Sequence, residues 1–527
     1  MRVTRQITVG ATALLVAILS ATCARQSPTP PAASTQLSNP DREMPIVEAI
    51  LHDQESPFYL DAKDYPAIGK ELPVGVFDSG TGGLTVLDAI INFDQFDNED
   101  RTWTARGDGV PDLKSERFVY LADTANMPYG VCPQKGKTDL LKEHIIKDAS
   151  FLLTPEYYRT ADAESPQADK TPVKAIVIAC NTGTAYGKSD IEHLIDLADL
   201  DIKVIGVIGA GSRGALSHLA QDEDATIGVM ATMGTVVSKG YVKALLEQKE
   251  AGGHSGTIMV AQQGGYGWSG AIDGMSEYIA PGATAPTEFY QGPAVGHDQG
   301  PIDVSLMDRY GFTWDNNEML YSGTRGNPEN LQINSVDNYV RYHTVSLLET
   351  IRNMEGAPKL EAIILGCTHF PYNEREIQAK LEELYDYQED GQYVYRPYMA
   401  DEIALVDPAI NTAKELFEHL DQESLLNQSD MKLSEFYISV PNTLNPNIQL
   451  EAPGVFSYDY KYARTAGEIQ EYVKRVPFSR ETIPAEVLDR LAEKVPNVYQ
   501  LMVQFNRANP KAAFLADDEK IRLPEQR

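Results

Sequence analysis

Cysteine is scarce in this chain: Cys23, Cys132, Cys180 and Cys367 are all there are among 527 residues. No cluster of Cys and His has the spacing of metal ligands, so the sequence offers no metal site. Basic residues are in deficit too. The 45 Lys and Arg stand against 76 Asp and Glu, a formal net charge of −31. Such a surface opposes nucleic acid and anionic lipid and favours solubility. It does nothing to attract an acidic small molecule, which would have to be held by local donors. The glycine-rich turn FDSGTGG (77–83) lacks the Gly-Lys-Ser/Thr ending of a phosphate loop. At the N-terminus the apolar run from Val9 to Leu19 is too short to span a bilayer as a mature helix.

That run instead reads as the core of a secretory signal. Arg2 and Arg5 precede it, and Ser20, Ala21 and Thr22 follow it. Cys23 then opens a polar, Pro-rich tether, ARQSPTPPAASTQ. The arrangement resembles a bacterial lipoprotein start, with Cys23 acylated after cleavage. Residues 1–24 are thus expected to be a signal and 25–70 a tether and lead-in. The expected location is the periplasm or cell envelope, with a lipid anchor to the membrane.

From Pro73 onward, strands alternate with helices, the pattern of parallel sheets. PVGVFDSGTGGLTVLDAI is a strand, turn and helix start. RFVYLADTANMPYG is a strand and loop, followed by a helix over 138–153. Strand 174–180 precedes helix 185–199, and IKVIGVIGAGSRGAL (202–216) reads as strand, turn and helix. Its Gly209, Gly211 and Gly214 have G-x-G-x-x-G spacing, but the next strand ends in Thr232 rather than an acid. A tight turn is favoured over a dinucleotide site. Residues 250–335 lose periodicity and read as an insertion of loops. Helix 336–354, strand 361–367, helix 373–385 and a strand and helix near 404–420 follow. The tail 430–527 has helical stretches near 464–475 and 484–506 and no enzyme motif.

Two segments look like imperfect copies: AIVIACNTGTAYG (175–187) and AIILGCTHFPYN (362–373). Each is an apolar β-branched run ending in a cysteine. Ligands of open α/β sheets bind at the C-terminal ends of the strands, so Cys180 and Cys367 could face one cleft. On spacing alone they could equally form a disulfide, which export favours, or be inert buried thiols. The neighbours point to chemistry. Asp78 ends its strand on the edge where Cys180 should lie. His369 follows Cys367 by two residues, the same face of an extended strand, and an imidazolium can stabilise a thiolate. A Cys–His pair is also compatible with a thiol hydrolase.

DSGTGGLTVL, ADTANMPYG, ACNTGTA, ATMGTVVSKGY and LGCTHFP occur here in the order and context of the glutamate racemases. The chain resembles that family, part of the cofactor-independent Asp/Glu racemase superfamily, over about 72–245 and 336–415. The resemblance implies an α/β fold of two pseudo-twofold related parallel-sheet domains with the active site in the interdomain cleft. The first half would span 72–207 plus 404–420, the second 208–400 with the insertion. It implies an isomerase that racemises glutamate without any cofactor or metal, through two cysteine bases. Cys180 would deprotonate the D-isomer, assisted by Asp78, and Cys367 the L-isomer, assisted by His369. Asp78, Ser79, Tyr129, Gly130, Asn181, Thr182, Thr368 and His369 would hold the ammonium and the two carboxylates.

Some features depart from the family. The acid that supports the histidine has no counterpart near VAQQGGYGWSG (260–270), and Gly209-Ala210-Gly211 replaces a proline turn. Most relatives are cytosolic and supply D-glutamate for peptidoglycan and cell-wall biogenesis. An exported copy fits that role poorly. Aspartate racemisation, a related isomerisation, and an exported acidic-amino-acid binding protein without catalysis remain alternatives. The expected partner is a small acidic amino acid, with no nucleic acid. No pattern speaks to oligomeric state.

Overall fold

A computed structural model of the protein describes residues 43–104, 107–272 and 274–524. The signal segment, Cys23 and most of the tether lie outside the described residues. Twelve strands carry the architecture. They are β1 (Val74–Asp78), β2 (Phe118–Ala122), β3 (Ala175–Ile178), β4 (Lys203–Gly206), β5 (Ala225–Ala231), β6 (Ile258–Gly264), β7 (Met319–Thr324), β8 (Asn327–Ile333), β9 (Leu360–Gly366), β10 (Met399–Val406), β11 (Glu435–Pro441) and β12 (Val473–Pro477). The helices that matter below are α1 (Leu84–Ile91), α2 (Thr138–Leu153), α3 (Asn181–Leu197), α4 (Val207–Leu216), α5 (Val336–Arg352), α6 (Glu374–Tyr385) and α7 (Pro408–Gln422).

The first sheet has the order β12-β11-β2-β1-β3-β4, and the second β10-β9-β5-β6. Every pairing in them is parallel except β11 with β12. The runs VGVFD, FVYLA and AIVI are buried at every position. Strands covered on both faces need such continuous apolar sequences. Each large side chain so buried stabilises the fold by about 1.5–3 kcal/mol. Around the second sheet the apolar residues form two clusters. One holds Tyr339, Leu347, Leu348, Phe370 and Leu381 beneath α5 and α6. The other holds Ile208, Tyr241 and Leu245.

The two sheets share one internal order. Reading β2-β1-β3-β4 against β6-β5-β9-β10 matches β1 with β5 and β3 with β9. Cys180, just past β3, and Cys367, just past β9, therefore occupy corresponding positions at the C-terminal ends of corresponding strands.

Several boundaries differ from the sequence reading. The strand near 404 pairs with β9 in the second sheet, whereas α7 packs its Ala413, Leu416 and Phe417 into the core of the first. The chain crosses between halves inside the segment 404–420, at Asp407. Residues 258–264 are not part of a loop insertion: β6 pairs with β5 along its whole length. Gly209, Gly211 and Gly214 lie inside α4 rather than in a turn. A Cβ on Gly211 would stand 2.9 Å from Pro408 Cγ, so the small residues let α4 and α7 approach closely. Among the described residues no helix is long and apolar enough to cross a membrane.

The tail differs most. Residues 464–475 are not helical; they lead into β12, and β11 adds a parallel strand beside β2. Phe436 on β11 is fully buried against Tyr120, Phe478 and Phe505, with ring centroids 6.4, 5.9 and 6.1 Å away. The helix Pro496–Ala508 supplies Phe505. The tail is thus a structural part of the first half. Truncating Phe436 to Ala should lower the unfolding free energy by about 3–5 kcal/mol, the range for a buried Phe, in urea titrations. An unchanged midpoint would show the tail to be a loosely held appendage.

Candidate active site

The two half-sites grow from the ends of β1 and β3 on one side and β9 on the other. Asp78, the last residue of β1, is buried, and its Oδ2 accepts the backbone N–H groups of Gly80 (3.1 Å) and Gly83 (2.9 Å). The turn DSGTGG therefore folds around its own carboxylate. Burial pushes the Asp78 pKa up; those two N–H groups, and His369 across the cleft, pull it down less strongly.

Cys180 is not the end of a strand but the cap of α3. Its sulfur accepts the Gly183 N–H at 3.3 Å, and its S–H reaches Ser79 Oγ at 3.7 Å. A helix N-terminus favours thiolate. Burial and the neighbouring Asp78 carboxylate win here, and push the Cys180 pKa up to about 12. Substrate-free Cys180 is a thiol at neutral pH. The next residue, Asn181, accepts the Tyr241 hydroxyl at 2.7 Å. Tyr241 comes from the second half, and the sequence reading did not single it out.

Cys367 directly follows β9. Its sulfur lies 3.8 Å from His369 Nδ1, and Thr368 Oγ1 lies 3.4 Å from the same nitrogen. The pair does not meet by strand alternation as expected. The strand ends at Gly366, and His369 begins the 3₁₀ turn Phe370–Asn373, with Pro371 in its first positions. Behind the turn, Trp268 stacks on Phe370 at 4.0 Å and on His343 at 5.3 Å, and its Nε1 donates to Asn373 Oδ1 at 3.2 Å. No acid lies in 258–272. An aromatic stack supports this turn where the resemblance led one to look for a carboxylate.

Gly82 shows how closely the half-sites meet. A Cβ there would stand 2.8 Å from Thr368 Oγ1, 3.0 Å from His369 Cε1 and 3.6 Å from Asp78 Oδ2. Thr85 Oγ1 also donates to the Thr368 carbonyl at 3.3 Å. Gly130 packs on Gly234, where a Cβ would lie 3.6 Å from Thr182 Oγ1. Asp78, Ser79, Gly130, Cys180, Asn181, Thr182, Cys367, Thr368 and His369 thus converge.

Tyr129 is the exception. Its side chain is buried, and its phenol oxygen lies 2.6 Å from both Asp123 and Asp148. Its phenol is occupied by these two carboxylates, and its backbone is the part beside Gly130. A cavity of about 420 Å³ opens beside Cys367, Thr368 and Asn181. Cys132, Cys180 and Cys367 are all free thiols. Among the described residues no group of three or more His, Cys, Asp or Glu is disposed to hold a metal ion.

Chemically the site offers two thiols, one beside a buried carboxylate and the other beside an imidazole, among backbone N–H groups and hydroxyls. No protein-family model matches the chain. Among curated proteins it is 24% identical over 365 residues to a glutamate racemase of Oceanobacillus iheyensis, covering 69% of this chain and 85% of that one. It is 26% identical over 356 residues to a glutamate racemase of Thermus thermophilus, covering 67% and 82%. Identity to the Enterococcus faecalis glutamate racemase reaches 33% over 172 residues, 33% of this chain and 46% of that one. Among solved structures, a Bacillus anthracis glutamate racemase is 21% identical over 70% of this chain and 88% of its own, with a TM-score of 0.40. A Picrophilus torridus aspartate racemase is 12% identical over 68% and 98%, with a TM-score of 0.30.

The raised Cys180 pKa has a direct readout. Below pH 12 its thiolate fraction climbs with pH, so the alkylation rate of Cys180 in substrate-free protein should rise about tenfold per unit between pH 7 and 9. Peptide mapping after timed iodoacetamide pulses measures this. A plateau already at pH 7 would mean a standing thiolate. Failure to label Cys180 and Cys367 in unreduced, denatured protein would mean a disulfide.

Proposed function

We propose that the chain is a member of the glutamate racemase family and interconverts L- and D-glutamate, with Cys180 and Cys367 as the two bases. The supporting observation is the placement of two free thiols at corresponding strand ends, one beside Asp78 and the other 3.8 Å from His369.

Racemisation breaks a Cα–H bond on one face and makes one on the other. In the L-to-D direction Cys367 thiolate takes the proton as S–H, and the Cys180 thiol delivers its own proton to the opposite face. The sulfurs exchange protonation states, so the reverse reaction starts from Cys180. Positioned acid–base catalysis of this kind contributes about 10²–10⁴-fold. N–H groups and hydroxyls around the cleft stabilise charge developing on the substrate carboxylate.

Magnitudes assign a role to Asp78. Bringing a thiol from a pKa of about 12 to near 7 requires about 7 kcal/mol, at about 1.4 per unit. A substrate ammonium about 4 Å away supplies about 4 kcal/mol at an effective dielectric of 20. The shortfall is met if Asp78 takes the thiol proton, since neutralising that carboxylate also removes its repulsion of the thiolate. Asp78 is poised for this because burial already raises its pKa. His369 plays the corresponding part for Cys367.

In D₂O, early conversion of L-glutamate should give α-deuterated D-glutamate while the remaining L-glutamate keeps its proton, read by NMR and chiral chromatography. Deuterium entering the unreacted isomer at the same rate would indicate a single base. Cys180→Ser and Cys367→Ser should each lower racemisation by about 10²–10⁴-fold. Turnover of aspartate but not glutamate would reassign the substrate.

The basic start at Arg2 and Arg5, the apolar Val9–Leu19 run and Cys23 support a further part of this reading, that the enzyme is exported and acylated at Cys23. The activity would then act on external or wall-derived amino acids. Expression in a bacterial host followed by fractionation and mass analysis should find Cys23 as an acylated N-terminus in the membrane fraction. An unprocessed chain in the cytosol would overturn export.

A further inference from the structure

The loop Asp123–Gly130 forms one wall of the cleft. Its Asp123 N–H donates to the Asp78 carbonyl at 2.9 Å. Met127 presses on the Asp78 turn, so closely that a Cβ on Gly80 would meet its sulfur at 2.6 Å, and Gly130 packs on Gly234. Within the loop, Asn126 Nδ2 donates to both Asp123 oxygens at 3.0 Å. The phenol of Tyr129 bridges Asp123 and Asp148. One phenolic proton serves only one carboxylate, so the other contact needs a protonated carboxyl. Asp148 meets that need, because burial and the nearby Asp123 push its pKa well up.

The tail reaches the loop at four successive points. Arg464 Nη2 donates to Asn126 Oδ1 at 2.8 Å. Lys461 Nζ donates to the Met127 carbonyl at 2.8 Å, and the Tyr462 hydroxyl to the Pro128 carbonyl at 3.5 Å. Arg475 Nη2 donates to Asp148 Oδ1 at 3.4 Å, behind Tyr129. In return Lys137 Nζ donates to the Arg464 carbonyl at 3.1 Å. Each of 126, 127, 128 and 129 is thus held, directly or through one side chain, by the tail. A carbonyl and the following N–H point opposite ways in a planar trans peptide. Tethering the Pro128 carbonyl to Tyr462 therefore aims the Tyr129 N–H away from the tail.

We propose that the C-terminal extension is a positioning element for this loop, with Lys461 and Arg464 as positioning residues that set substrate affinity without touching the reacting atoms. The proposal rests on the racemase reading for its kinetic consequence, but not for its structural one. Lys461 is the better probe, because its bond is near the surface and Met preserves its stem. Arg464 is buried, so Arg464→Lys, which keeps the charge and loses the planar fork, is preferable to Ala.

The experiment uses the full chain in three forms: wild type, Lys461→Met and Arg464→Lys, with Lys461→Arg as the rescue. Hydrogen–deuterium exchange of peptides spanning 123–132 is measured without substrate, and KM and kcat for both glutamate isomers are measured in parallel. In K461M the loop should exchange faster, KM should rise about fivefold, the effect of one lost hydrogen bond, and kcat should change less than twofold. K461R should restore both readouts. Unchanged loop exchange in K461M and R464K overturns the proposal. So does faster exchange with an unchanged KM. A wild type that turns over neither glutamate nor aspartate defeats the racemase reading, while loop exchange still judges the clamp.

Discussion

The structure depends on one constraint: two parallel sheets must present the C-terminal ends of corresponding strands to one point. Parallel strands place all their loops of one polarity on one edge. A shared order, β2-β1-β3-β4 and β6-β5-β9-β10, then delivers Cys180 and Cys367 to matching places. Neither half could set two thiols at opposed strand ends by itself, because its parallel strands end on the same side. Contacts across the cleft fix the approach: Tyr241 on Asn181, Thr85 on Thr368, and Gly82 between Asp78 and Thr368–His369. Glycine at 82 follows from the same closeness, since a Cβ there would sit within 3.0 Å of His369.

Such closeness also creates the electrostatic problem that the site turns to use. A carboxylate and a thiol buried side by side cannot both be charged at reasonable energy. In the resting protein the thiol keeps its proton, with its pKa pushed up to about 12. The helix end at Gly183 and the ring of N–H groups on Asp78 favour charge but do not prevail. A cation held beside the thiol would lower that cost, because an opposite charge favours the thiolate.

Most of this was legible where burial dictates sequence. VGVFD, FVYLA and AIVI can hardly be anything but buried strands, and both thiols stood out because they close such runs. What was hidden had specific causes. β12 reads VKRVP, and Lys474 and Arg475 disguise a strand that is buried throughout. Their charges are accounted for by the carbonyls of Ala161 and Ala163 and by Asp148, more than 300 residues away in sequence. β6 ends in Gln-Gln-Gly, too polar to mark a sheet member. The motif marks Tyr129, and only the fold shows that its phenol is held by Asp123 and Asp148. His369 lies beside Cys367 although strand alternation does not bring it there, because the strand ends at Gly366 and a 3₁₀ turn carrying Pro371 follows.

The two half-sites are not equivalent, and the difference lies in what supports them. The Cys180 side rests on backbone: a self-wrapped carboxylate, a helix cap and a loop pinned from the tail. The Cys367 side rests on an aromatic stack, with Trp268 between Phe370 and His343. Hydrogen-bonded backbone fixes position through many directional contacts. An apolar stack fixes it through close packing, where a gap of about 0.5–1 Å already forfeits a quarter to a half of the contact energy. The first sheet, thickened by β11 and β12, therefore holds its half-site by directional bonds, while the turn at His369 is held by contact area that a smaller side chain at Trp268 or Phe370 would remove.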